Sequence, residues 1–312
     1  MLPVDEFIGP YGYVLLSRTP VMETRPLGET GHESSILTFG AIALAHLPQD
    51  EADAMVEEVL DRGVNHIDVA PTYGDAELKL APTLEHRRDE VFLGCKTALR
   101  SYEGAREKLE ASLDRLGVDR IDLYQFHGVT KEEELDEILG EDGALSAALE
   151  AREEGVIDHV GLTSHGSPAI IEEAIERCPE LETVMFPMNA VLVGKEGSEY
   201  DYRSVLELAD ERGIGTLAIK TFAKGPWPED VPENERPYHT WYEPFDDPDD
   251  LEECLRFTLS MGVDTLTNAG DPRLVPPILD AAVRYEEMSE GEQRAFIESR
   301  RERESPVPTH LD

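Results

Sequence analysis

The stretch RLGVDRIDLYQFH, residues 115–127, sets the reading of this chain. It starts as the charged end of a helix, halts at Gly117, and turns within a few residues into a short run rich in Ile, Leu, Tyr and Phe that closes on His127. A glycine at a helix end accepts the left-handed backbone that other residues resist, and so releases the chain into the next element. The same unit recurs as DRGVNHIDVA (61–70), EEGVIDHVGLT (153–163), ERGIGTLAIK (211–220) and SMGVDTLTN (260–268), with Gly63, Gly155, Gly213 and Gly262 in the equivalent place. Helix, glycine, strand is half of a repeating βα unit. ILTFGAI (36–42), EVFLGCK (90–96) and TVMFPMN (183–189) bring the strand candidates to eight, each followed by an amphipathic stretch of helical period. Eight alternating pairs predict a closed parallel (β/α)8 TIM barrel. An open doubly wound sheet would want a G-x-G-x-x-G turn after its first strand, and FGAIALAH (39–46) has none.

At 312 residues the chain suits one barrel, assigned to residues 22–290. Residues 1–21 read as an N-terminal extension or a misassigned start, and residues 291–312 as a charged helix end with a Pro-containing disordered tail. A formal net charge of -39 argues against nucleic acid and anionic membranes as partners, because repulsion opposes both encounters. The 67 acidic residues are spread along the chain and the 28 basic ones are mostly Arg, a composition similar to that of proteins from salt-accumulating microbes; the alternative is an acidic mesophilic protein. Three scattered cysteines, Cys95, Cys178 and Cys254, make neither a disulfide framework nor a zinc site. With no apolar run of about 18 residues and no basic leader, the expected location is the cytoplasm, as a monomer or small homo-oligomer.

In such a barrel, chemistry collects at the C-terminal ends of the strands. Asp68 ends the second strand and Tyr73 and Gly74 follow it; Lys96 ends the third, His127 the fourth, Ser164 and His165 the fifth, Asn189 the sixth, Lys220 and Thr221 the seventh, and Asn268 and Gly270 the eighth. Singly, each has a structural reading: Asp68 caps a turn, Tyr73 packs in a loop, His127 is a hydrogen-bonded core imidazole. Together they suggest acid catalysis. A phenol is a poor acid, with a pKa of about 10, which a neighbouring ammonium lowers. Asp68 is the natural partner that keeps Lys96 charged, Tyr73 would donate the proton, and His127 would orient a carbonyl or share that proton.

These residues, together with RPLGETGHESSILTFG (25–40) and DVAPTYGDAELKLAPTLEHRRDEVFLGCKT (68–97), mark a chain that resembles the aldo-keto reductases from Arg25 to about Tyr285. The resemblance implies a catalytic Asp, Tyr, Lys and His at Asp68, Tyr73, Lys96 and His127, a small-molecule carbonyl substrate, and NADPH, with NADH as the alternative, lying across the barrel mouth. Its cofactor contacts map to Ser164, His165, Asn189, Lys220, Thr221, Asn268, Gly270 and Arg273. The chain departs from the family's pattern where Ser164-His165 stands for a Ser-Asn pair, Met185 for a Gln and Lys220 for a ring-stacking Tyr, and in this it resembles a divergent bacterial and archaeal branch. The helix start after Gly270 would receive phosphate, with Arg273 on the 2′-phosphate and Asp271 opposing it. The long loop FAKGPWPEDVPENERPYHTWYEPFDDP (222–248) carries Trp227, Tyr238, Trp241 and Tyr242, read either as walls of a substrate pocket or as packing on the rim. Two further readings stand beside carbonyl reduction: a Schiff-base barrel lyase using Lys96, and a nicotinamide-binding redox sensor with little turnover.

Overall fold

Eight parallel strands pair in chain order and close on themselves: β1 (Leu37–Gly40), β2 (His66–Asp68), β3 (Phe92–Thr97), β4 (Ile121–Phe126), β5 (Ile157–Thr163), β6 (Thr183–Pro187), β7 (Gly215–Ile219) and β8 (Thr265–Thr267). The computed structural model describes residues 6–8, 14–16, 22–195, 201–305 and 307. Each strand falls within the run expected of it or one residue beyond, and the five glycines of the repeating unit have φ between 67° and 97°, the backbone a helix-to-strand reversal asks for.

Two apolar cores result. The larger lies between the outer faces of the strands and the surrounding helices. The smaller fills the cylinder itself with Phe92, Leu123, Met185, Leu217 and Ile219, and Leu27 plugs it from below. Leu27 belongs to a connection between the antiparallel strands Thr24–Pro26 and Glu33–Ser35, and from the same connection His32 stacks on Phe92 at 4.2 Å. The bottom of the cylinder is thereby plugged, and the strand-end residues named from the sequence gather at the opposite mouth.

The seam between β8 and β1 is short, with Leu266 opposite Leu37 and Thr267 opposite Thr38. Beyond it the Asn268 side chain continues the ladder: Gly40 N–H donates to its Oδ1 at 2.7 Å and its Nδ2 donates to the Gly40 carbonyl at 3.3 Å.

The loop after β7 is a built element. Ala223–Pro226 pairs antiparallel with Tyr242–Pro244. The expected C-terminal helix is present at Glu290–Arg300, capped by Ser289 and Glu292, and it docks through buried Phe296, whose ring lies 5.4 Å from that of Phe257. At the other end Glu6–Ile8 pairs with Val14–Leu16; the remainder of the proposed 1–21 extension and most of the expected disordered tail lie outside the described residues. Among the described residues no helix is long and apolar enough to cross a membrane.

Candidate active site

The inward faces of β2, β3 and β4 converge near the mouth. Asp68 and Lys96 form an ion pair with side chains only 4% and 1% exposed, and the ammonium also donates to the Val69 carbonyl at 3.3 Å. Burial alone would strip the proton from such an amine, yet Asp68 and, more weakly, Tyr73 outweigh it, so Lys96 holds its proton more tightly than an ordinary lysine. The second oxygen of Asp68 accepts a hydrogen bond from Gln125 Nε2 at 2.9 Å. Gln125 was not singled out in the sequence. Its signal was the two-residue period that puts it on the same inward face as His127. Gly161 makes room for it, since a Cβ there would meet Gln125 Cγ at 2.9 Å.

Tyr73 lies in the turn after β2, its N–H bonded to the Ala70 carbonyl at 3.0 Å. Lys96 Nζ is 5.0 Å from the Tyr73 ring centroid, and the His127 ring meets that ring edge-on at 6.0 Å. The expected lowering of the phenol pKa is only part of the balance. Burial pushes the Tyr73 phenol above its ordinary value, Lys96 pulls it back, and Asp68 opposes Lys96. The phenol is therefore protonated at neutral pH, the state a proton donor requires. Burial, reinforced by Lys96, Arg100 and Lys220, pushes His127 down to about 3, so its imidazole is neutral and acts as a hydrogen-bonding group.

Asp68, Tyr73, Lys96 and His127 share a cavity of about 100 Å³. His165, Lys220, Asn268 and Gly270 from strand ends complete its wall, together with Trp241 and Tyr242 from the loop after β7. The remaining sequence candidates stand behind this wall. Ser164 Oγ accepts from Gly166 N–H, Asn189 caps a short helix and donates to the Lys220 carbonyl, and Thr221 is buried beside the Met188 carbonyl. Trp227 is not part of the cavity wall. Its Nε1 donates to the Thr240 carbonyl at 2.7 Å and its ring carries the Arg236 guanidinium at 5.7 Å, so it fastens the loop to itself.

Near the tetrad the residues suit a nicotinamide ring. The floor is apolar through Met185 and Ile219, and His165 has a buried Nδ1 that lacks a partner among the described residues. Farther out the arrangement differs from the expected phosphate site. The first turn after Gly270 is a 3-10 turn, Pro272–Leu274, and the Asp271 carboxylate accepts from the Arg273 backbone N–H, its Nε and one of its terminal guanidinium nitrogens at 2.8 to 3.0 Å. From the loop, His239 N–H donates to Asp271, the Pro237 carbonyl accepts from Arg273, and the Tyr238 ring lies under that guanidinium. The Asp271 carboxylate thus ties down one edge of Arg273, and the loop is latched to both.

Residues 36–256 match the model of the Aldo/keto reductase family. The chain is similar to an uncharacterized oxidoreductase of Bacillus subtilis, 29% identical over 220 residues that cover 65% of this chain and 66% of that one, and to the L-galactose dehydrogenase of Arabidopsis thaliana, 27% identical over the same coverage. The aligned segment thus spans just under two thirds of each of these curated relatives. Among solved structures, the holo form of an aldo-keto reductase from Bacillus halodurans superposes with a TM-score of 0.69 at 24% identity, over 92% of this chain and 99% of the other.

Proposed function

The chain belongs to the aldo/keto reductase family, and we propose that it reduces an aldehyde or ketone to an alcohol as an NAD(P)-dependent oxidoreductase, with Tyr73 as the proton donor. The observation that carries this reading is the meeting of Tyr73, Lys96, Asp68 and His127 around one cavity at the open end of the barrel. A nicotinamide cofactor, when bound, supplies hydride to the carbonyl carbon. His127, neutral, offers a ring N–H that orients the carbonyl oxygen toward the Tyr73 hydroxyl. Tyr73 passes its proton to that oxygen, and the Lys96 ammonium stabilises the phenolate left behind. Asp68 keeps Lys96 charged and in place, and the same pairing opposes a Schiff-base role for Lys96, which needs a free amine. Around the ring the proposed contacts are His165, Asn268 and Gly270. NADPH is the proposed cofactor through Arg273, with NADH the competing choice.

Steady-state reduction of a carbonyl panel by the wild type and by Tyr73→Phe tests the proposal. The expected result is a loss of roughly 10²–10⁴ in kcat, the usual worth of a positioned general acid, with cofactor binding by fluorescence titration little changed. Equal turnover in the variant would remove Tyr73 from the chemistry, and no turnover of any carbonyl by the wild type would favour the sensor reading.

A further inference from the structure

Lys220 is the one residue of the cavity wall whose charge the tetrad leaves unused. It sits at the end of β7 with φ of 61°, the only non-glycine residue with positive φ among those described. That conformation is disfavoured for a residue with a Cβ and persists only where neighbours impose it. Here two donors hold its carbonyl, Asn189 Nδ2 at 3.0 Å and Ala223 N–H at 3.1 Å. Its ammonium lies 5.1 Å from the Trp241 ring centroid and 5.5 Å from that of Tyr242. Among the described residues it has neither an ion pair nor a hydrogen bond, although the chain carries 67 carboxylates against 28 basic residues.

The cavity therefore has an unbalanced charge. Asp68 and Lys96 cancel, His127 and His165 are neutral because burial, with the nearby lysines, pushes both to about 3, and Tyr73 keeps its proton. Burial and Lys96 lower Lys220 to about 8, so it is still mostly charged at neutral pH. An ammonium without a counter-charge on aromatic faces, lining one cavity with the Tyr73 phenol and His239, has the chemistry to receive a monoanion.

We infer that Lys220 binds a carboxylate carried by the carbonyl substrate, so that the preferred substrates are short oxo acids. One ammonium matches one carboxylate, whereas a phosphate brings about two charges and more acceptor oxygens than this site has donors for. The inference rests on the carbonyl-reduction reading above, since the anion and the reacting carbonyl must share the cavity of Tyr73.

The test compares succinic semialdehyde with butanal, four-carbon aldehydes that differ in the carboxylate, in the wild type, Lys220→Met and Lys220→Arg at fixed ionic strength. The ratio of kcat/KM for the charged over the neutral aldehyde is expected to be about tenfold or more in the wild type, to collapse toward one in Lys220→Met and to be largely kept in Lys220→Arg. In parallel, 4-hydroxybutyrate and butan-1-ol are titrated against tryptophan fluorescence, which needs no turnover; the acid is expected to lose about tenfold in affinity relative to the alcohol in Lys220→Met. A preference that survives Lys220→Met, or a wild type indifferent to the carboxylate, overturns the inference. So does a variant whose preference is intact but whose NADPH affinity has fallen, which would assign the amine to the cofactor's phosphates. If the wild type reduces neither aldehyde, the reductase reading fails while the fluorescence titration still decides the anion site.

Discussion

Gln125 Nε2 donates to Asp68 Oδ1 at 2.9 Å, so that one carboxylate oxygen answers to an amide while the other faces the Lys96 ammonium. The bond crosses from β4 to β2 over the glycine Gly94 of the strand between them, where a Cβ would meet both side chains at about 3.5 Å. Gln125→Met removes the donor and leaves Asp68 to lean more heavily on Lys96, which weakens the hold of Lys96 on the Tyr73 phenol. The expected outcome is a kcat lower by roughly tenfold, about the worth of one hydrogen bond to a charged group. The pH at which kcat declines should also move upward, and a full pH profile separates this from a loss of folding. An unaltered profile would make Gln125 mere filling.

The ion pair beneath Tyr73 should reveal itself in stability. Asp68→Asn leaves a buried ammonium without a counter-charge, and Lys96→Met leaves a buried carboxylate. Each single change is expected to cost about 3–5 kcal/mol, and the double variant markedly less than the sum, because removing both charges leaves neither stranded. Thermal unfolding of the three variants provides the comparison. Strictly additive losses would show that the two groups do not depend on one another.

Acid should loosen the fold before its carboxylates titrate. Burial depresses His66, His127 and His165, helped by neighbouring charges: His32 and Lys96 for His66, Lys96, Arg100 and Lys220 for His127, and Lys220, His127 and Lys96 for His165. A group whose folded pKa is depressed contributes its stability above the unfolded value, near 6.5 for histidine, and loses it as pH falls from there toward the folded value. Melting temperature is therefore expected to drop between about pH 6.5 and pH 4.5, above the range in which ordinary carboxylates take up protons. The slope should flatten in a His127→Gln, His165→Asn variant. A slope identical in both proteins would place the acid response elsewhere.

The latch on Arg273 bears on cofactor choice. Asp271 occupies one edge of that guanidinium, Nε and one terminal nitrogen, and its backbone N–H. Asp271→Asn removes the competing charge, and NADPH affinity is expected to rise by roughly fivefold relative to NADH, the scale of a partly exposed ion pair. Fluorescence titration with both cofactors reads the ratio. If it stays fixed, Arg273 does not meet the 2′-phosphate.

Much of the architecture was legible because it is local. Gly63, Gly117, Gly155, Gly213 and Gly262 announce the reversals, and the apolar runs after them are the strands. That Asp68, Tyr73, Lys96 and His127 would meet was legible because strand ends in a closed parallel barrel share one rim. Gln125 was not, since its partner Asp68 lies two strands away and only register brings them together. Asn189 and Thr221 sit at the expected strand ends yet turn to backbone carbonyls, a choice made by neighbours distant in sequence. The loop after β7 was the least readable part. Trp227 and Trp241 share its composition, yet one closes the loop on itself and the other faces the cavity, a division set by the pairing of Ala223–Pro226 with Tyr242–Pro244.

The side chain of Asn268 acts at the seam as the last tooth of a zip fastener. Where the final stave of the cylinder touches each of its neighbours over only two rungs, thermal breathing should begin, and the Gly40 amide proton should exchange with solvent early when it does. Since Gly40 and Asn268 also stand at the lip of the reaction chamber, widening of the entrance and the first slackening of the whole cylinder become one movement.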